Sequence, residues 1–360
     1  MADKPVPVLT DCRHFKGEMP CAPHKTSAVH CGDCPHYDPL HERILIIKLG
    51  AIGDVIRTTP LLRVIKEKYP KSQISWLTRF PEILPESWID RILGDNSDAL
   101  ALLNAAEFDW LINLDKDALA IGLSETVRAN RKTGFTLDRW GRCVPFDEEE
   151  ARKKWLTGIW DDVNQSNTMH YMEEIFRICG FEFKGEEYIL EDMYESPAPW
   201  NFSANKSRIG LNTGCGGRWT SRLWPEKHWI ELAKHLKDAG HEVVLLGGEQ
   251  EHDKNQRIAK AAGVVYPGHY NLKTFIHLVN QMDLVVTAVT MAMHVAIGLK
   301  KKLVLFNNIF NSNEFYLYHR GLILAPSMDC DCYFSPECPN HCMESLSVES
   351  VKDAVRQLLG

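Results

Sequence analysis

RILIIKLGAIGD, residues 43–54, reads as a short buried strand running straight into a glycine turn. Gly50 and Gly53 sit where the backbone must turn sharply, and glycine there lets a ligand approach main-chain amides. The continuation VIRTTPLLRVIKEKYP (55–70) has apolar residues at 55, 56, 61, 62 and 65, which suits a helix interrupted at Pro60. Further strand-like runs follow at 74–78 (ISWLT) and 110–114 (WLINL), with helical stretches between them. This βαβ alternation predicts an α/β fold with a mostly parallel sheet and helices on both faces.

The stretch ESPAPWNFSANK (195–206) breaks the alternation and reads as a linker. Beyond it the pattern restarts. Strands are expected at 208–211, 242–246, 284–287 and 303–306, with helices near 225–239 and 348–359. The expected organisation is a cysteine-rich knuckle (1–40), a Rossmann-like domain (41–195), a second one (196–345) carrying a cysteine loop (330–342), and a closing helix (346–360). A length of 360 residues suits two domains of about 150–200 residues. Hydrophobic residues at 44% and charged residues at 25% are enough to bury a core, which excludes global disorder. A net charge of −7 argues against a general nucleic-acid binder, while leaving room for a local basic pocket around a phosphorylated ligand. No apolar run reaches the ~18–20 residues needed to span a bilayer. The start MADKPVPVLTDCRHFKG lacks the apolar stretch of a signal peptide. The expected location is cytoplasmic, with at most peripheral contact at the inner face of the inner membrane.

Eight of the eleven cysteines form two groups of four. Cys12, Cys21, Cys31 and Cys34 precede the first strand, in a segment rich in Pro, His and Gly that has few core-forming residues. Such a segment needs a staple, and the C-x-x-C knuckle at Cys31–Cys34 suits a structural metal; free thiols are the alternative. His14, His24, His30 and His36 could substitute as ligands. Cys330, Cys332, Cys338 and Cys342 lie in CDCYFSPECPNHC, whose spacing fits zinc, iron, an iron–sulfur cluster or a loop of reduced thiols equally. Neither group has an open position beside a general base, so neither is expected to be catalytic.

Candidate site residues lie at strand ends. GAIGD differs from the dinucleotide fingerprint G-x-G-x-x-G, which weakens a nicotinamide-enzyme reading. Asp54 falls at a helix start on the ligand-binding edge of the sheet. On spacing alone it is a first-turn carboxylate stabilising its helix, and the same helix dipole would keep it ionised as a modest base. In NTGCGGRWTSRLWPEKHW (212–229), a glycine-rich loop, two arginines and a proline-opened helix converge as an anion site. Arg218 and Arg222 are its candidates for a diphosphate, against incidental arginines on a solvated loop. The turn GGEQE (247–251) offers a carboxylate, either for ribose hydroxyls or simply for solvent. Thr290 and His294 follow another strand, and a lone histidine there is more often packed than catalytic.

Four runs, in order, carry a resemblance: ILIIKLGAIGDVIRTTPLLRVIKEKYP (44–70), GCGGRWTSRLWPEKHWIELAKHL (214–236), GGEQE (247–251) and VVTAVTMAMHVAIGLKK (285–301). Together they resemble glycosyltransferase family 9, the heptosyltransferases of lipopolysaccharide core assembly, over 43–360. The resemblance implies a GT-B fold, two Rossmann-like domains facing a cleft. The first half would bind the acceptor and the second a nucleotide sugar, ADP-heptose foremost. It implies inversion without a catalytic metal, and a glycan, lipid-linked or protein hydroxyl as acceptor. Asp54 matches the catalytic aspartate that deprotonates the acceptor. Arg222 matches a diphosphate-binding basic residue, Glu251 the ribose carboxylate, and Thr290 and His294 the donor-loop positions.

Two departures stand out. Where the family commonly has D-T-G-x-x-H, this chain has Val289-Thr290-Met291-Ala292-Met293-His294, and a valine accepts no hydrogen bond from a sugar hydroxyl; losing such a bond costs about 1–3 kcal/mol. Either the donor sugar is a relative of the usual heptose or another residue supplies the contact; where the family usually has a G-P-T-like turn, this chain has NNIFNSNEF, and Asn307, Asn308 and Asn311 are the candidate replacements. The cysteine additions resemble a protein-glycosylating branch whose members carry a four-cysteine iron site and assemble into rings, which raises a protein acceptor, iron beside the zinc that the spacing allows, and a homo-oligomer. The alternative is a non-catalytic sugar-nucleotide-binding or assembly scaffold on the same fold, favoured by the donor-loop departures and opposed by the intact Asp54 motif.

Overall fold

Four of the five side chains of β1 (Arg43–Ile47) are buried, the pattern of a parallel strand covered on both faces. In the computed structural model, which describes residues 7–192 and 200–360, β1 is a central strand of a six-stranded sheet. Its companions are β2 (Gln73–Leu77), β3 (Arg91–Leu93), β4 (Glu107–Asn113), β5 (Arg128–Leu137) and β6 (Cys143–Pro145), in the order β3-β2-β1-β4-β5-β6. All pairs are parallel except β5–β6, where Phe135 faces Pro145 across an antiparallel edge. Pro145 is tolerated there because an edge strand need not donate on both sides.

The second sheet holds β7 (Arg208–Asn212), β8 (Glu242–Leu246), β9 (Leu284–Ala288), β10 (Lys302–Phe306) and β11 (Gly321–Leu324) in the order β11-β10-β9-β7-β8, all parallel. Its core joins sheet residues to Trp224, Trp229 and the closing helix Val348–Leu359, and it takes in Cys332, Cys338 and Cys342. The smaller core under the first sheet packs Leu45, Ile47, Leu77 and Leu111 against the Ala118–Thr126 helix. No helix among the described residues is long and apolar enough to cross a membrane.

Pro60 divides the first helical stretch in two: Ile52–Thr58 and Leu61–Lys68. The two pieces belong to different packing units. The first unit comprises residues through Leu49, Leu61–Pro81 and Glu86–Phe146; the second comprises Gly50–Pro60, Glu82–Pro85 and Asp147–Gly360. The Ile52–Thr58 helix therefore packs with the second sheet's unit, against the helices Met291–Gly298 and Tyr171–Ile178. The segment 147–192, grouped with the first sheet by the sequence pattern, likewise makes its contacts in the second unit. Of the expected linker, 195–199 lies outside the described residues, and 200–206 carries neither helix nor strand.

Candidate active site

Asp54 occupies the first turn of the Ile52–Thr58 helix, and its Oδ2 accepts the Ala51 amide at 3.3 Å. The capping expectation is met, but weakly. A second, stronger contact is to Arg57 one turn along the same helix, whose Nη2 lies 2.8 Å from Asp54 Oδ1. The Asp54 side chain stays 32% exposed while that of Arg57 is only 13% exposed. Both oxygens are engaged, one by Arg57 and one weakly by the Ala51 amide, while part of the carboxylate surface stays open, which suits proton acceptance.

Arg57 is the hub of the site. Its Nη1 reaches Glu314 Oε1 at 2.9 Å, and its guanidinium lies 3.5 Å over the Tyr171 ring. Burial disfavours its charge, yet the Asp54 and Glu314 carboxylates outweigh burial and raise its pKa further, so it remains a cation. Its Nε is buried without a hydrogen-bond partner.

His294 completes this group. It lies on the Met291–Gly298 helix and is 7% exposed, with its ring stacked on Tyr188 at 6.3 Å. A Cβ at Gly53 would fall 2.3 Å from His294 Cδ2, so the second glycine of GAIGD is required by this close approach. Burial and then the Arg57 charge push the imidazole down to about 3; it is neutral at physiological pH. Its Nδ1 is buried and makes no hydrogen bond. The buried, packed histidine expected from the sequence is thus observed. Gly50 lies in the turn between β1 and the Ile52–Thr58 helix.

The donor-loop candidates form a second, adjoining group. Thr290 precedes the Met291–Gly298 helix at its N-cap position without capping it through its side chain; its hydroxyl lies 3.1 Å from that of Thr287. Arg222 is 8% exposed and donates to the carbonyls of Val289, Cys215 (2.8 Å) and Trp219 (3.4 Å). It knits the glycine-rich loop to Val289, just before the Met291–Gly298 helix. Burial lowers its pKa. Arg218 is exposed and lies over the Trp219 ring at 5.3 Å. Glu251 passes so close to Gly214 that a Cβ there would meet it at 2.2 Å, and its Oε2 accepts the Gly248 amide at 2.9 Å. Beside it Lys254 donates to the Thr213 carbonyl at 2.8 Å, and burial lowers its pKa although Glu251 opposes the shift.

The asparagines expected to replace the missing sugar contact are engaged elsewhere. Asn307 binds the Phe310 carbonyl at 2.8 Å, Asn308 the Ser221 carbonyl at 2.8 Å, and Asn311 the carbonyls of Asn164 and Asn167. They shape their loop, and only Asn308 Oδ1 is left buried and unpartnered. Sequence reasoning missed Arg57, Glu314, Tyr171, Tyr188 and Lys254. Arg57 had a readable signal, its i,i+3 spacing from Asp54; the others are brought in by tertiary packing.

The sulfurs of Cys330, Cys332, Cys338 and Cys342 all lie within 4.8 Å of one another, and among the described residues no other group of ligands converges so closely. Three N–H groups point at them: the Asn308 side chain to Cys342 (3.4 Å), the Asn340 side chain to Cys330 (3.7 Å) and the Cys342 amide to Cys338 (3.5 Å). Burial works against thiolate at Cys338, but that amide and the neighbouring thiols bring it down to about 7. Four soft donors with such an outer shell fit a tetrahedral zinc or iron.

The sequence model of glycosyltransferase family 9 (heptosyltransferase) matches residues 101–308. Lipopolysaccharide heptosyltransferase 2 of Escherichia coli (strain K12) is 30% identical, over 73% of this chain and 81% of its own. Similar solved structures include a family 9 glycosyltransferase from Veillonella parvula DSM 2008 (TM-score 0.67, 18% identity, 89% of this chain and 97% of that one). The E. coli ADP-heptose lipopolysaccharide heptosyltransferase II gives a TM-score of 0.64 at 19% identity, covering 88% and 98%. The iron-containing dodecameric glycosyltransferase TibC from enterotoxigenic E. coli H10407 gives 0.56 at 12% identity, covering 89% and 76%.

Proposed function

The chain belongs to glycosyltransferase family 9, with a GT-B-like fold of two parallel sheets, and from that premise we propose that it is an inverting heptosyltransferase. Its donor is a nucleotide diphosphate heptose, ADP-heptose foremost; its acceptor is a hydroxyl on a glycan, a lipid-linked sugar or a protein. In this reading the first sheet's unit serves the acceptor and the second sheet's unit, which also carries 50–60 and 147–192, serves the donor. The enzyme works at the cytoplasmic face of the inner membrane without spanning it.

The observation that carries the proposal is Asp54: a half-open carboxylate fixed by a buried arginine, beside a neutral histidine on the donor-loop helix. The acceptor oxygen attacks the anomeric carbon opposite the diphosphate. The carbon–oxygen bond to phosphate breaks, its electron pair leaves with the diphosphate, and the hydroxyl proton passes to Asp54. The transition state has oxocarbenium character, so charge grows on the leaving group. Amides opening the Met291–Gly298 helix, with Lys254 and Arg218, supply positive potential for that charge. Arg222 acts by holding the loop's shape. The catalytic step needs no metal. The Cys330–Cys342 quartet holds a structural one, zinc or iron, that braces the loop around Asn308.

The test is release of free nucleotide by the full-length protein from ADP-, GDP-, UDP- and TDP-sugars, with and without acceptor fractions. Asp54→Ala is expected to lower kcat by a hundred- to ten-thousand-fold, as for loss of a general base, with nucleotide binding retained. Tight nucleotide binding with no turnover of any donor would instead establish the scaffold reading that Val289 and Met291 favour.

A further inference from the structure

Residues 8–40 are folded without a core. Among these described residues only Pro23 is buried, while Val8, Phe15, Met19 and Tyr37 are exposed. Yet the segment is ordered into a helix (Ala22–Ser27), a 3-10 turn (Cys31–Asp33) and a bridge that pairs Cys12 with Pro39. Chains of this size rarely hold a shape without disulfides or a metal. None of the eleven cysteines is in a disulfide. The segment's side-chain anchors to the first sheet are polar: Arg13 binds Asp90 and the Ser72 carbonyl (3.0 Å), and Lys71 binds Asp38 (2.6 Å). Partly exposed pairs of this kind contribute roughly 0–1 kcal/mol each, too little to organise about thirty residues.

At the centre of the segment lies a cavity of about 30 Å3, lined by Cys12, Cys21, Cys31 and Cys34 together with His14 and Phe15. Four cysteines from separate points of the chain thus share one small space. Cys31 and Cys34 flank the 3-10 turn, and Cys21 caps the helix. The space is the size of a single ion or water, but its wall is largely apolar, and a water needs two to four polar partners. A soft cation needs only the sulfurs.

We propose that Cys12, Cys21, Cys31 and Cys34 form a second, closed tetrathiolate zinc site that folds residues 8–40 onto the first sheet, distinct from the Cys330–Cys342 quartet. The four-sulfur set with a C-x-x-C knuckle, lacking an open position, suits a d10 ion held tetrahedrally at about 2.3 Å from each sulfur. The N-terminal sulfurs are not drawn to within 4.8 Å of one another as the C-terminal ones are. The ion would close them by side-chain rotation, and this coupling makes metal binding part of the segment's folding free energy. The proposal stands independently of the transferase reading.

The test is metal analysis of the full-length protein purified without chelator. Two equivalents per chain are expected, at least one of them zinc. The Cys332→Ser/Cys342→Ser double variant should keep one zinc, and Cys31→Ser/Cys34→Ser should lose one equivalent. Because the latter variant can fail to fold, alkylation of native wild-type protein supplies a second measure. Cys12, Cys21, Cys31 and Cys34 should resist the reagent until a chelator is added, and trypsin should then cut at Lys16 and Lys25. A single equivalent that disappears with Cys332 and Cys342, iron at the N-terminal position, or prompt alkylation of these four thiols without chelator would overturn the proposal.

Discussion

The Asp54 helix and the 212–222 loop both place glycines and charged side chains at the carboxyl end of a strand, but they use them in opposite ways. At the first, Gly53 is bare so that His294 can pass, and the buried charge, Arg57, is neutralised by Asp54 and Glu314 while Asp54 keeps an open face. At the second, Gly214 is bare so that Glu251 can pass, and the buried charge, Arg222, is absorbed by backbone carbonyls. In the proposed function the cation paired with carboxylates holds the reactive group in place, whereas the one bound to carbonyls holds a loop in place. Substitutions at the first should therefore appear in kcat, and at the second in stability.

Gly53→Ala gives the largest effect expected from this contrast. Its Cβ would overlap the buried His294 imidazole, and overpacking of this kind costs about 1–3 kcal/mol. The helix that carries Asp54 must shift, and a misplacement of about 1 Å costs on the order of a hundredfold in rate. Steady-state kinetics should show a fall in kcat of that size with little change in donor KM. Unchanged kcat would mean that the contact does not position the carboxylate.

Arg222→Lys comes next and probes the other region. One ammonium cannot reproduce three bonds fanned to Val289, Cys215 and Trp219, so buried carbonyls lose their donors. Thermal unfolding should report a loss of roughly 2 kcal/mol, with kcat falling by less than in Gly53→Ala. The reverse order would make Arg222 a direct ligand of the diphosphate.

These roles were only partly legible in the sequence. The strands at 43–48, 74–78, 110–114, 208–211, 242–246, 284–287 and 303–306 each form close to where apolar runs place them, because buried parallel strands are apolar on both faces. β5 escaped notice because the first half of RANRKTGFTL is polar and solvent-facing, and β3 because it is only three residues long. Asp54, Thr290 and His294 were readable as strand-end residues. That Arg222 is buried was not, since its burial depends on how its own loop folds back to present the Cys215 and Trp219 carbonyls and on the carbonyl of Val289, far along the chain. Glu314 was hidden for the same reason. The two cysteine quartets were readable as groups of four, whereas the tighter convergence of the second depends on a 3-10 turn (Cys342–Ser345) and on Asn308.

The histidine supplies the third test. Its folded-state pKa, about 3, lies below the ordinary value of 6.5, so the unfolded chain binds the proton first as pH falls. The stabilisation is complete above about pH 6.5 and is lost between 6.5 and 3, at up to ~1.4 kcal/mol per pH unit. His294→Asn should flatten that part of the acid limb in denaturant titrations relative to the wild type. Parallel curves for the two proteins would mean that the imidazole is already protonated in the fold.

Arg218→Ala should give the smallest effect. The guanidinium is exposed on the aromatic face of Trp219, where water and salt screen it and no buried partner depends on it. Its removal should leave the unfolding midpoint unchanged and raise donor KM by only a few-fold. That rise should fade between low and physiological salt, because a screened charge attracts an incoming diphosphate without being desolvated by it. A salt-independent loss in kcat comparable to that of Gly53→Ala would mean that Arg218 is buried against the leaving group during turnover. The glycine-rich loop would then be a second catalytic region rather than a support, and the contrast between the two strand ends would be lost.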